Sequence, residues 1–249
     1  MDTWLLRQIA GIEQPEFREK LAVALKGNPS VLWYMTTRCP DYKEALKKLV
    51  DSAPDGLSAK AIRDSEVRLL DALDWAVSYM YPELTEQLPY VRDWDPERLL
   101  SLTDFTDKTV LDIGSGTGRL ALAAAPLAKY VHASEPVDRF REYLRDKVKR
   151  LGINNVYVID GSIEAVPFPD ESFDIVMSGH VMGDNYQSEY KELSRVAKPG
   201  GWIIDCPGDD ERGNPDGPSQ EMIELGFEYS HYISKTGGDI YRYWKQKSE

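Results

Sequence analysis

Gly114, Gly116 and Gly118 stand at alternate positions directly after the apolar run Val110 to Ile113, and Asp112 lies two residues before the first of them. These residue types describe a ligand-binding loop. Glycine lets a backbone turn with positive φ and approach a ligand without a Cβ in the way. Ser115 and Thr117 add hydroxyls, and the N–H groups that open the next segment, from Arg119 on, have no intrahelical acceptor and point back at the loop. Asp112 narrows the ligand, since a carboxylate here repels a pyrophosphate but suits an ammonium group or ribose hydroxyls. The dinucleotide fingerprint Gly-x-Gly-x-x-Gly also fails, because Arg119 occupies the place of its third glycine.

The surrounding pattern supplies elements to hold such a loop. Thr109 to Ile113 reads as a buried strand and Arg119 to Leu127 as a helix. Lys129 to Ser134 is a second strand that ends at Glu135, placed like the ribose-binding acid about twenty positions after the loop in Rossmann-like folds. Pro136 suits the first turn of a helix whose stripe Phe140, Leu144, Val148 and Leu151 closes at Gly152. Asn155 to Ile159, Phe173 to Ser178 and Gly201 to Asp205 read as further strands. Gln220 to Leu225 is a short helix closed by Gly226, and Phe227 to Ser234 with Asp239 to Gln246 forms a hairpin around Lys235 to Gly238. Strands alternating with helices predict an α/β fold.

The stretch Asp112 to Gly118 resembles motif I of the class I S-adenosylmethionine-dependent methyltransferases: an acidic residue, any residue, then Gly-x-Gly-x-Gly. Val166 to Met177, with Pro167-Phe168 and Phe173-Asp174, and Glu192 to Gly201, with Arg195-Val196 and Lys198-Pro-Gly-Gly201, are similar to signatures of the small-molecule subgroup that includes the ubiquinone and menaquinone biosynthesis enzymes. The resemblance covers residues 106–207 and implies S-adenosyl-L-methionine as cofactor. It puts Asp112, Gly114, Ser115, Gly116, Thr117 and Gly118 in the cofactor loop, and Glu135, followed by Pro136, on both ribose hydroxyls. By the same resemblance Asp160 contacts the adenine amino group, Gly161, Ser162 and Ile163 pass beside the ring, and Ser178 closes the site at the end of the fourth strand. The implied fold is a Rossmann-like sheet, mostly parallel with the last strand antiparallel, bearing an N-terminal all-helical cap.

Methyl transfer from a sulfonium is an in-line displacement on an activated carbon, so alignment and exclusion of water do most of the work. Where the acceptor needs a base, His180, just beyond the fourth strand at the sheet's C-terminal edge, is the candidate catalytic residue. Polar residues at that place also serve only to line a pocket or hold a loop, and Asp184, Asn185 and Tyr186 lie close to it in sequence. His132 and His231 fall inside strands and read as packed residues. Asp184 with Asp209 or Asp210 is too few oxygen ligands for a metal site, and no metal is expected. The competing readings are a binding or regulatory protein that keeps the pocket without chemistry, a methyltransferase with a protein or RNA acceptor, and a nicotinamide enzyme, which Asp112 and Arg119 disfavour.

The first 105 residues read differently, as a helical cap on a domain spanning 106–249. Helices are expected over Pro15 to Lys26, after a capping Asp41 with Ala45, Leu46, Leu49 and Val50 inward, and from Ser58 to Tyr81 with Ile62, Val67, Leu70, Val77 and Met80 inward. Asp95 and Pro96 make a cap for a helix over Glu97 to Leu102. Trp4, Trp33, Tyr34, Trp75, Tyr79, Tyr81, Tyr90 and Trp94 make this part aromatic, which fits either ordinary helix packing or a lid that shapes an acceptor pocket and meets a sulfonium through cation–π contacts.

Thirty basic against 42 acidic side chains give a net charge of -12, which argues against nucleic acid as substrate, while the resemblance to the small-molecule subgroup implies a small, partly apolar acceptor. No apolar run reaches the length of a membrane span, and Asp2, Arg7 and Glu13 leave no signal-peptide core, so the expected address is cytoplasmic. The 2 cysteines, Cys39 and Cys206, have no metal or redox spacing and read as small buried residues.

Overall fold

The structure is a computed structural model that describes residues 2–208, 217–235 and 237–248. It divides into two compact units, Met1–Tyr81 and Pro82–Glu249.

The first unit is helical: α1 (Thr3–Gly11), α2 (Pro15–Gly27), α3 (Pro29–Arg38), α4 (Lys43–Asp51), α5 (Ala59–Ala72) and α6 (Ala76–Met80). Its core gathers Leu5, Leu6, Ile9, Phe17, Leu21, Leu25, Met35, Cys39, Leu46 and Leu69. Asp41 does not cap α4 as expected. It pairs with Arg7 at 2.7 Å, and a 3-10 turn over Pro40–Tyr42 leads into the helix instead. The single helix expected from Ser58 to Tyr81 breaks after Ala72, where the Leu73 N–H is shared between the carbonyls of Leu69 and Leu70. Ser58 does cap its start, accepting the Ala61 N–H. The inward stripe also differs: Ser65, Leu69 and Ala76 are buried, whereas Val67, Leu70, Val77 and Met80 are exposed. The register is set by α2, because Ile62 lies where a Cβ on Gly27 would fall.

The second unit carries a seven-stranded sheet among its described residues, with β1 (Thr109–Ile113), β2 (Tyr130–Ser134), β3 (Val156–Ile159), β4 (Phe173–Ser178), β5 (Ala197–Asp205), β6 (Glu228–Ile233) and β7 (Asp239–Gln246). The order is β3-β2-β1-β4-β5-β7-β6, parallel from β3 to β5, with β7 antiparallel to both β5 and β6. Central strands β1 and β4 are buried along nearly their whole length, as a parallel sheet covered on both faces requires. Helices α7 (Pro82–Gln87), α8 (Pro89–Arg92), α9 (Glu97–Leu100), α10 (Arg119–Ala124), α11 (Asp138–Arg150), α12 (Tyr186–Val196) and α13 (Gln220–Glu224) complete the unit.

The domain boundary expected at residue 105 is corrected to Tyr81/Pro82. Trp94, Leu99 and Phe105 are buried in one cluster with Val110, Val131 and Ile175, so the segment before β1 belongs to the core of the sheet unit. Asp95 does cap α9, accepting the Glu97 N–H at 3.0 Å. Pro136 lies outside α11, which starts at Asp138, and Leu151 is exposed while Phe140, Leu144 and Val148 are buried. Thr236, in the turn expected between β6 and β7, lies outside the described residues. No helix among the described residues is long and apolar enough to cross a membrane.

Candidate cofactor-binding site

Strand order reverses between β1 and β4, whose neighbours lie on opposite sides, and open parallel sheets bind ligands beyond the C-terminal ends of their strands at such a point. The glycine loop is there. Gly114, Gly116 and Gly118 all have positive φ, at 66°, 54° and 92°. A Cβ on Gly114 would lie 2.4 Å from Val181 Cγ2, so Gly114 lets the loop after β4 close against the loop after β1. Nothing lies within 4 Å of the Cβ position of Gly116, so the loop is open there.

The loop is tied to the end of β2. The N–H groups of Gly114 and Ser115 donate to the Ser134 carbonyl at 2.8 and 3.1 Å. Glu135, buried, accepts the Gly116 N–H on Oε2 at 2.8 Å and the Val137 N–H on Oε1 at 2.9 Å. Ser115 Oγ donates to the Asp112 carbonyl at 2.9 Å, and the Thr117 carbonyl accepts Lys147 Nζ at 3.1 Å. Two carboxylates therefore end neighbouring strands on either side of the loop. Asp112 is buried beneath it, and its Oδ2 accepts the Ala121 N–H at 3.0 Å. Burial pushes the Asp112 carboxyl up to about 7, against the pull of Arg119, the Ala121 N–H and Ser115.

Arg141, on α11, was not read from the sequence as part of this site. It donates to the Glu135 carbonyl at 2.7 Å and to Asp160 Oδ1 at 3.0 Å, which ties the ends of β2 and β3 together. Asp160 is otherwise open to solvent, with its side chain 74% exposed. Gly161 accepts from Ser134 Oγ at 3.0 Å, and Ser162 forms an isolated bridge with Ala165. Ile163 is buried in a core cluster with Leu111, Ile113, Val166 and Phe173.

On the other side of the switch point, Ser178 Oγ donates to Asp205 Oδ1 at 2.8 Å, both side chains being buried. Burial raises the Asp205 carboxyl to about 6, opposed by the Ser178 hydrogen bond and by Arg119. His180 adopts φ of +68°, a conformation rare outside glycine and worth noting at a functional site. Its Nε2 accepts the Gly208 N–H at 3.0 Å, and its ring meets Tyr90 edge-on at 5.9 Å. Through that hydrogen bond the accepting nitrogen braces the loop after β4 against the loop after β5. Glu189 braces the following turn by accepting the N–H groups of Gly183 and Asn185, each at 2.9 Å. Asp209 and Asp210 lie outside the described residues.

Of the remaining candidates, His132 is partly buried and Cys206 buried, whereas His231, expected to be packed, is exposed. His132 stacks on Tyr157 and meets Phe168 and Phe173 edge-on, and burial lowers its pKa. His231 pairs with Asp239 at 3.0 Å. Cys206 is wholly buried, its thiol pushed up to about 12 by burial, which leaves no thiolate for chemistry.

Comparison with known proteins agrees with this geometry. Residues 111–205 match the family described as "Methyltransferase domain". The chain is 31% identical over 136 residues to a demethylmenaquinone methyltransferase of Geobacillus stearothermophilus, a match that covers 51% of this chain and 58% of that relative. Among solved structures, a putative S-adenosyl-L-methionine-dependent methyltransferase of Methanococcus maripaludis superposes with a TM-score of 0.55 at 17% identity, covering 69% of this chain and 94% of that one. A SAM-dependent methyltransferase of Aquifex aeolicus gives 0.53 at 20% identity, with 68% and 97% covered. The structures share the fold, and the sequence match spans little more than half the length of the curated relative. Residues 111–205 match a methyltransferase domain, and the sheet unit that holds them has the fold of the S-adenosylmethionine-dependent methyltransferases it superposes on.

Proposed function

We propose that the sheet unit binds S-adenosyl-L-methionine and transfers its methyl group to a small, partly apolar acceptor. The observation that carries this reading is the pair of buried carboxylates, Asp112 and Glu135, ending adjacent strands on either side of a glycine loop that is open at Gly116. The residues present suit the cofactor, which would supply a methyl group already activated on a sulfonium. Glu135, buried beside the loop where it accepts the Gly116 and Val137 N–H groups, is the carboxylate placed for the ribose hydroxyls. Asp160 is exposed at the end of β3 for an exocyclic amine, and Asp112 offers charge to an ammonium group. Val181, Met182 and Tyr186, partly buried against a core cluster after β4, supply the apolar side of an acceptor site, in keeping with a relative named for a demethylmenaquinone acceptor.

In this reading the chain works by alignment and exclusion of water. His180 positions the loop after β4 through Gly208 rather than removing a proton. Single-turnover rates should then fall about tenfold in His180→Ala, with binding of S-adenosylhomocysteine little changed. His180→Asn, which tolerates positive φ and can still accept a hydrogen bond, should restore most of the rate. A base role predicts equal loss in both variants together with loss of an ionisation from the pH–rate profile.

The loop itself gives a sharper contrast. Gly116→Ala meets open space and costs about 1–2 kcal/mol of backbone strain, so the protein should fold yet bind cofactor poorly. Gly114→Ala drives a methyl into Val181 as well and should lower the unfolding temperature more than Gly116→Ala does. The activity is tested by incubating the purified protein with S-adenosylmethionine and a panel of small phenolic, quinol and amine acceptors, reading S-adenosylhomocysteine. Cofactor binding with no turnover on any acceptor class, macromolecular ones included, would favour a binding protein over an enzyme.

A further inference from the structure

Arg119 opens α10 directly after the glycine loop, and its guanidinium is set in an unusual way. Nη2 donates to the Cys206 carbonyl at 3.0 Å, and the group lies over the Trp94 ring at 4.5 Å. Nη1 is closed to solvent and has no hydrogen-bond partner among the described residues. Two more buried donors have no acceptor among the described residues, Trp94 Nε1 beneath the guanidinium and Arg98 Nε on helix α9. They are tied together through Cys206, whose thiol contacts the Arg98 carbonyl at 3.6 Å.

A buried guanidinium is normally matched by a hydrogen-bonded carboxylate, because a bare cation out of water is strongly disfavoured. Asp112 and Asp205 are near enough to act on Arg119 electrostatically, yet neither forms an ion pair with it. Each has other work: Asp112 holds the Ala121 N–H and Asp205 holds Ser178. Gly179 leaves Arg119 its room, since a Cβ there would lie 2.5 Å from Nη2 and 2.7 Å from the Cys206 carbonyl oxygen. Arg119 is thus a cation with a donor idle among the described residues, at the end of the glycine loop.

We propose that Arg119 receives the carboxylate at the amino-acid end of the cofactor, with Nη1 as a donor to it and Asp112 facing the ammonium group of the same end. This rests on the cofactor reading above. A fixed guanidinium suits a planar carboxylate better than a lysine does, and the pairing of one cation with one carboxylate matches a zwitterion. The same arrangement selects against adenosine compounds that lack the amino acid.

Binding of S-adenosylhomocysteine and of 5′-methylthioadenosine, which carries the nucleoside and sulfur but no amino-acid end, tests this by calorimetry on the full chain. The intact protein should prefer S-adenosylhomocysteine by about 30-fold or more. Arg119→Met should bring that preference below about threefold while leaving methylthioadenosine affinity nearly unchanged, and Arg119→Lys, which keeps the charge without the fork, should fall between. Should Arg119→Met fail to fold, Arg119→Lys carries the test, and an unchanged preference in it would overturn the proposal. A preference that survives in Arg119→Met would overturn it too, as would a rise in acceptor KM with cofactor preference intact, which would assign the carboxylate to the acceptor. An intact protein that binds methylthioadenosine as tightly as S-adenosylhomocysteine overturns this inference alone. If it binds neither, the cofactor reading falls with it.

Discussion

Replacing Glu135 with alanine should weaken binding of S-adenosylhomocysteine by about 10- to 150-fold, the equivalent of a lost charge-assisted contact of about 1.5–3 kcal/mol. The same change should lower the unfolding temperature, because Glu135 also accepts the N–H groups of Gly116 and Val137 in a buried setting. A stability effect and a binding effect are therefore mixed in the alanine variant. Glu135→Gln separates them. One oxygen remains to accept a backbone N–H, so thermal stability should stay nearer that of the unaltered protein, while the negative charge offered to the ribose is gone. Unchanged affinity in both variants, measured by calorimetry, would remove Glu135 from the site.

Raising the pH from 5.5 to 8 should lower the unfolding temperature of the cofactor-free protein, and the buried carboxyls give the sign. Burial is the largest influence on Asp112 and lifts it to about 7, with Glu135 adding to the rise and Arg119, the Ala121 N–H and Ser115 opposing it. Asp205 is lifted to about 6, again first by burial. An unfolded aspartate ionises near 3.8. Between that value and the folded one, the folded chain holds a proton that the unfolded chain has released, so stability falls as pH rises across the interval. The contribution is fully present below the unfolded pKa and lost once pH passes the folded one. His132, lowered by burial, works the other way near neutrality, so the comparison with Asp112→Asn isolates the effect. That variant should show a flatter profile between pH 5.5 and 8. Cofactor affinity should move oppositely to stability, rising with pH through about 7 as Asp112 ionises to face an ammonium group. A wild-type slope identical to that of Asp112→Asn would contradict the assignment.

What could be read from the sequence was what is local. The strand and loop at 109–118 are fixed by a short apolar run and by glycines whose positive φ leaves few alternatives, and β4 spans Phe173–Ser178 as read. The β6–β7 hairpin follows from alternation and turn residues, and its antiparallel junction with β5 from the family resemblance. The helical unit was harder. Val67, Leu70, Val77 and Met80 form an apolar stripe as plausible as the buried one, and only packing against α2 decides which side turns inward. Pro136 suits a helix start by its own geometry, but Glu135 holds the Val137 N–H and delays the helix to Asp138. Distance in sequence hid the rest of the site. Arg119 meets the Cys206 carbonyl 87 residues away, and Gly208 reaches His180 across 28 residues. In the sequence Arg119 served only to exclude a dinucleotide fingerprint. The nearest available signal was a cation directly after a glycine loop in a chain of net charge -12.

Titration of the purified full chain with S-adenosylhomocysteine, and separately with NAD, tests the central claim most directly. Calorimetry should give saturable binding of S-adenosylhomocysteine at one site per chain and no heat above dilution with NAD, because Asp112 and Arg119 stand where a dinucleotide fold has neither. Saturable NAD binding, or no S-adenosylhomocysteine binding by a protein shown to be folded, would contradict it.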